Sequence, residues 1–173
     1  MKLSYFDCMD AKSSFLAKAN NPWVFNLFLL MRLPAAFLSG VRLLRVNDQE
    51  AVATVPYRWL SQNPFRSIYF ACQAMAAELS TGILAMAHLQ GRQPAVSMLV
   101  VGLEAAFHRK GTRLVYFTCR DGEAMRAAIE AAVATGAPQQ LTALSTGVDA
   151  DGMAVATFHI TWSFKAKQVV AIV

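Results

Sequence analysis

The stretch Ile68–Leu89, I-Y-F-A-C-Q-A-M-A-A-E-L-S-T-G-I-L-A-M-A-H-L, decides how this chain folds. It is apolar almost throughout, and a helix that is hydrophobic on every side must be wrapped by other structure. Its one acid, Glu78, sits in the middle, and Asn63 lies fifteen residues before it. Ionised carboxylates are almost never fully buried without a partner, because desolvating one costs several kcal/mol. Glu78 therefore requires a buried partner, a raised pKa or a wet cleft. A catalytic acid would use the last two. Ser67 is the expected N-cap of this helix, with Gly91 and Pro94 marking its end.

Outside this stretch the composition sets limits. The chain has 173 residues, 55% hydrophobic and 16% charged, which fits one domain with more apolar surface than its own core can hide. That excess suggests a subunit interface or an apolar ligand cavity. The formal charge of +5 is scattered along the chain rather than gathered in one tract. Such a field argues against a nucleic-acid surface and suits phosphate-bearing small molecules or an acidic carrier protein. Cys8, Cys72 and Cys119 form no spacing motif, which points to a reducing compartment. The N-terminus lacks the pattern of a secretory signal, so a cytoplasmic location is expected. His88, His108 and His159 lack ligand spacing, and neither a metal nor another cofactor is expected. Residues 21–40 are strongly hydrophobic, but Arg32 and Pro34 leave Trp23–Met31 far short of the roughly 20 residues a membrane span needs. Two short helices packed on the domain are expected there, the first opening with Asn21 as cap and Pro22 in its first turn. Peripheral contact of the helix before Arg32 with a membrane surface is the alternative.

The remaining elements follow from periodicity and turn chemistry. Val41–Val46 and Ala51–Arg58 read as strands joined by the polar turn 47–50. Val96–His108 and Thr112–Arg120 read as two more. Asp121 opens an amphipathic helix with Met125, Ala128, Ile129, Ala132 and Val133 on one face, and Gly136 and Pro138 close it. Gln140–Val148 and Met153–Lys165 form a last hairpin across 149–152. In its second strand Phe158, Ile160, Trp162 and Phe164 alternate with Thr157, His159, Thr161 and Ser163, so one face is core. The predicted fold is α+β, a curved antiparallel sheet wrapped around one long hydrophobic helix with a helical insertion between strands. This is the hotdog architecture. Residues 1–40 would be a helical segment packed on the domain, and residues 41–173 the domain itself.

The run from Asn63 to Gly82, N-P-F-R-S-I-Y-F-A-C-Q-A-M-A-A-E-L-S-T-G, resembles the hotdog thioesterase superfamily. Within it the likeness is to the little-characterised branch with Asn before the central helix and Glu inside it. Asn63, Tyr69, Glu78 and Gly82 fall on the family's Asn, its Tyr or His near the helix start, its acid and the small residues that follow. Downstream, A-A-F-H-R-K-G-T, Ala105–Thr112, resembles the family's strand ending in an aromatic and a basic turn. The likeness in element order spans roughly residues 41–165. One departure stands out: many of these thioesterases carry His-Gly-Gly at the helix start, where this chain has Tyr69-Phe70-Ala71.

The resemblance implies an acyl-thioesterase acting on acyl-CoA or an acyl-carrier protein, working as a homodimer or a dimer of dimers with sites between protomers. Hydrolysis needs a carboxylate to activate water or to attack directly, and donors for the carbonyl oxygen. Glu78 would be the carboxylate, and the free N–H groups around Tyr69, Phe70 and Ala71 would be the donors. Asn63 would orient water or the thioester, and Tyr69 would donate a hydrogen bond or line an acyl channel. Thr81 and Gly82 would contact substrate or give it room, and His108, Arg109 and Lys110 would meet a coenzyme A phosphate. Each has a plain structural alternative. Glu78 would bond Tyr, Arg or Thr neighbours, Asn63 would serve the turn before Pro64, Tyr69 would pack, Thr81 would bond a backbone carbonyl, and the basic turn would be solvated. The absent glycines favour a second reading, a non-catalytic hotdog module that binds an acyl or aromatic ligand.

Overall fold

The structure, a computed structural model, describes residues 5–167, with side chains described from residue 10 onward. Three helices come first: α1 (Tyr5–Ala19), α2 (Pro22–Arg32) and α3 (Pro34–Ser39). Asn21 caps α2 as its sequence demands, its side-chain oxygen accepting from the N–H groups of Trp23 and Val24 at 3.1 and 3.3 Å. Pro34 occupies the first turn of α3, whose end is set by Gly40 in the left-handed conformation at φ 87°. Strands β1 (Arg42–Val46) and β2 (Ala51–Val55) form the first hairpin, and the second strand ends three residues earlier than its composition suggests. Pro56 explains the early stop, because it has no N–H to continue the ladder.

The apolar stretch forms α4, Phe70–Leu89. Ser67 does not cap it. The N-cap is Tyr69, which makes no side-chain capping bond, while Ser67 is tied back to the preceding loop through Asn63. After α4 come β3 (Val96–Phe107), β4 (Val115–Cys119), α5 (Gly122–Thr135), β5 (Gln139–Asp149) and β6 (Ala154–Ala166). Asp121 stands at the N-cap of α5, but its carboxylate accepts from the Leu144 N–H at 2.7 Å instead of closing the helix end.

All six strands join one antiparallel sheet in the order β1-β2-β4-β5-β6-β3. Both α4 and α5 lie on the same face of it, α4 against β2, β4 and β5, and α5 against β5 and β6. The insertion helix therefore belongs to the same covering layer as the central one. Met125, Ile129 and Ala132 of α5 are fully buried in that interface. The inward side chains Phe117, Phe158, Ile160 and Phe164 meet Ile83 and Leu84 of α4 within one core. Two-thirds of α4's most apolar window is buried inside the fold, so its length and hydrophobicity are those of a core helix.

Packing sets the stability expected of single changes. Phe158→Ala removes a ring that is 1% exposed and should lower the unfolding free energy by about 3–5 kcal/mol. Leu27→Ala, at a position 55% exposed, should stay within about 0.5 kcal/mol of wild type. Urea unfolding of both variants checks the contrast.

Candidate functional site

Glu78 lies just short of the midpoint of α4 and is only partly exposed, in a cleft of about 240 Å³. The cleft is walled by Met75 and Leu79 from α4 and by Arg32–Ala36 from the α2–α3 junction. Among the described residues its carboxylate takes no hydrogen bond and no ion pair. Burial alone pushes its pKa above the usual carboxylate range. The reading of Glu78 as a core acid satisfied by Tyr, Arg or Thr side chains is thus not what the structure holds. Gly82, one turn on, makes room for it: a Cβ there would sit 3.2 Å from Glu78 Oε1 and 3.3 Å from the Trp162 ring. Thr81 turns the other way and is fully buried, donating to the Glu78 carbonyl at 3.1 Å and accepting from Trp162 Nε1 at 3.0 Å. It holds the backbone under Glu78 and does not line the cleft.

A second, larger cavity of about 530 Å³ opens at the N-terminus of α4. Asn63, Tyr69, Phe70, His108, Arg109 and Lys110 all line it, so the sequence-predicted residues on the two sides of the loop do meet there. The turn chemistry of Asn63 is real: its Oδ1 accepts from the Phe65 and Ser67 N–H groups at 3.0 and 3.2 Å. Its Nδ2 group has no partner among the described residues. The N–H groups of Phe70 and Ala71, in the first turn of α4, are also unused. Ala71 itself is partly buried and contributes no wall. The basic turn is anchored rather than loose: His108 bonds Thr157 Oγ1 at 2.9 Å, Lys110 donates to the Phe65 carbonyl at 3.2 Å, and Arg109 stands 3.5 Å from Asp149.

Two residues of this cavity, Phe107 and Gln73, were not legible as site residues. Phe70, which was, stacks edge-on with Tyr69 and with Phe107, which in turn meets Phe158, so an aromatic chain runs from the cavity into the core. Gln73, 4% exposed, also forms part of the wall. Its Nε2 donates to the Ile68 carbonyl at 3.3 Å, and its Oε1 is the one buried side-chain polar atom without a partner among the described residues. Its spacing of one helical turn from Tyr69 was the available signal.

The two halves stand apart. Glu78 is eight residues beyond Phe70, which at 1.5 Å per residue is about 12 Å along the helix. One chain therefore does not bring the carboxylate and the free N–H groups to the same carbonyl. Elsewhere, His88 is buried in a polar knot, 3.0 Å from the Asp48 carbonyl and 3.4 Å from Lys12 Nζ. No cluster of three or more His, Cys, Asp or Glu occurs among the described residues. Burial pushes the Cys119 thiol up to about 12 and also raises that of Cys72, which leaves both unreactive.

A sheet of this strand order, wrapped over a long apolar helix, is the hotdog fold. Solved structures share it over most of their length. A Pseudomonas aeruginosa protein of unknown function, described as a probable thioesterase, superposes with a TM-score of 0.71 at 19% identity, covering 84% of this chain and 97% of its own. A Haemophilus influenzae thioesterase gives a TM-score of 0.61 at 13% identity, over 84% of this chain and 91% of its own. A thioesterase variant from Pseudomonas aeruginosa gives 0.60 at 14% identity, over 83% and 93%. At such identities the likeness is one of fold. No protein-family model matches the sequence, and no curated protein matches it either.

The raised pKa of Glu78 gives a test with a definite sign. The folded chain holds the Glu78 proton more tightly than the unfolded chain, so this group favours the folded state below the unfolded carboxylate pKa. That contribution is lost as pH rises towards and through the folded value. Glu78→Gln should therefore gain stability relative to wild type as pH rises from about 4 to about 7. Urea unfolding of both proteins across that range measures it.

Proposed function

We propose that the protein hydrolyses an acyl thioester, with Glu78 as the base that activates water. The observation that carries this reading is a desolvated carboxylate with no partner, set in an open cleft on the central helix of a fold shared with thioesterases. A base held above the ordinary carboxylate range takes a proton more readily near neutral pH. Glu78 would take a proton from water, the resulting hydroxide would add to the thioester carbonyl, and the tetrahedral intermediate would expel the thiolate. The proton on Glu78 would then pass to the leaving sulfur, giving a carboxylic acid and a thiol. The Phe70 and Ala71 N–H groups would hold the oxyanion, aided by the positive end of α4. Asn63 Nδ2 and the Tyr69 hydroxyl would orient the thioester. The carrier would be coenzyme A or an acyl-carrier protein, with Arg109 and Lys110 nearest to its phosphates.

The separation of about 12 Å between the two halves means that a second copy would have to supply one of them. The exposed surface supports that arrangement. In the β3–β6 register Leu103 pairs with Ile160 and Phe107 with Ala156, so these β3 side chains point to the helical face. Both are nonetheless about half exposed, although Phe107 meets the Phe70 ring at the first residue of α4. β3 is also a sheet edge with unpaired backbone groups. A homodimer closed along this edge would cover Leu103, Phe107 and Phe70 together. The second reading, a ligand-binding module without turnover, is favoured by Phe70 and Ala71, whose side chains occupy the place where glycines would let a thioester approach the backbone.

Glu78→Gln should cut turnover of the best substrate in a panel of acyl-CoA and acyl-carrier thioesters by about 10²–10⁴-fold, with an unchanged circular dichroism spectrum. Full activity in that variant would remove Glu78 from the mechanism. No turnover across the panel in wild type, with thermal stabilisation by an acyl ligand, would favour the binding module. Sedimentation at micromolar concentration should show a dimer, and Leu103→Glu should shift it towards monomer.

A further inference from the structure

We propose that α2, α3 and the 3₁₀ turn at Trp59–Ser61 form a docking surface for an anionic lipid layer. A helix that is apolar all round belongs in a core, yet α2 buries only Phe25 and Leu29. Trp23 is 88% exposed, and Leu27, Leu30 and Met31 lie open beside it. The turn at Trp59–Ser61 packs against α3 and is tied to it by Arg58, which donates to the Leu38 carbonyl at 3.2 Å. It adds Trp59, 79% exposed, and Leu60. Two of the chain's three tryptophans thus stand in the open, on two elements that both pack against α3. Indole rings combine an apolar body with an N–H that stays hydrated, which suits the boundary between headgroups and acyl chains.

Charge selects the partner. Residues 11–77 contain seven bases and two acids, and both acids, Asp48 and Glu50, belong to the β1–β2 turn, where they pair with Lys12, Arg45 and Arg120. Lys18 and Arg32, near the two ends of α2, are exposed and have no acidic partner among the described residues. No acid lies between residues 11 and 47 or between 51 and 77, and Glu78, whose cleft Arg32 helps to wall, makes no ion pair with it among the described residues. Two copies meeting through this face about a two-fold axis would bring like charges together. Anionic headgroups would neutralise them, while Trp23, Leu27, Leu30 and Met31 enter the interfacial region. The surface also lies apart from the β3 edge, since α2 packs on β1 at the opposite end of the sheet. The segment that docks also ends in the wall of the Glu78 cleft, which gives an acyl chain a short path from the lipid to the acid.

The test is co-sedimentation of the full chain with phosphatidylcholine vesicles, with and without phosphatidylglycerol. Binding should be at least about tenfold stronger to the anionic vesicles and should weaken steeply in high salt. Tryptophan emission should shift to shorter wavelength as Trp23 and Trp59 enter the interface. The double variant Leu27→Glu, Met31→Glu should lose vesicle binding while keeping the wild-type melting temperature, since both positions are exposed. Glu78→Gln should bind vesicles like wild type, which separates this surface from the hydrolytic reading. Equal binding to both vesicle types, or wild-type binding by the double variant, would overturn the proposal. So would a wild-type assembly in solution that the double variant breaks into smaller species, because the face would then belong to a second copy.

Discussion

The rest of the structure depends on the dehydration of α4. Its sequence offers water almost nothing on any side, so the chain must cover it around its circumference. The sheet does so from one side, with Ile83 and Leu84 against Phe117, Phe158 and Ile160. The small residues Ala76, Ala77 and Ala85, none measurably exposed, bring the helix close to its neighbours. α5 and the N-terminal helices complete the cover. Each of these elements has one apolar face to bury, and α4 is the surface they share.

That constraint explains the state of Glu78. An acid on a helix that is otherwise wrapped loses hydration without gaining a partner, and its pKa rises for that reason alone. Gly82, with no side chain, leaves space beside the carboxylate that a Cβ would crowd. The strain of an unpartnered acid is tolerable because it lies at a gap, where the α2–α3 junction forms a wall and not a lid. The other half of the chemistry, the unused N–H groups and the Asn63 amide, gathers at the helix start for a different reason. There the backbone lacks partners by the geometry of helix ends, and the turn before it folds on Asn63 Oδ1. The two halves are held about 12 Å apart along one rigid rod, and this rigidity makes a second protomer part of the proposed mechanism.

Much of the fold was readable because its signals are local. Asn21-Pro22 capped a helix, and the alternation in β6 marked Phe158, Ile160, Trp162 and Phe164 as core; all four are buried. The failures were local too. Ser67 has the chemistry of an N-cap, but Asn63 captures it two residues before the helix begins. Asp121 has the same chemistry and is captured by β5 through the Leu144 N–H. In both cases a polar side chain had two possible partners: a neighbour in the same loop won at Ser67, and one supplied by tertiary packing won at Asp121. Thr81 shows the same competition: beside Glu78 in sequence, it is claimed by Trp162 from a strand 81 residues away.

The sequence by itself determined which elements form, which face of each is apolar, and that the most apolar helix would carry an acid needing a partner, a raised pKa or a wet cleft. These follow from periodicity and from the cost of burying charge, both of which act over a few residues. The tertiary structure decided which faces meet. It placed β3 beside β6 at the sheet edge, so that Phe107 reaches Phe70 while Leu103 is left open. It also split the candidate site along α4 and left the outer face of α2 uncovered. Long-range pairing depends on register and on competition among many apolar surfaces of similar character, and a one-dimensional pattern records that a face must be buried without recording against what.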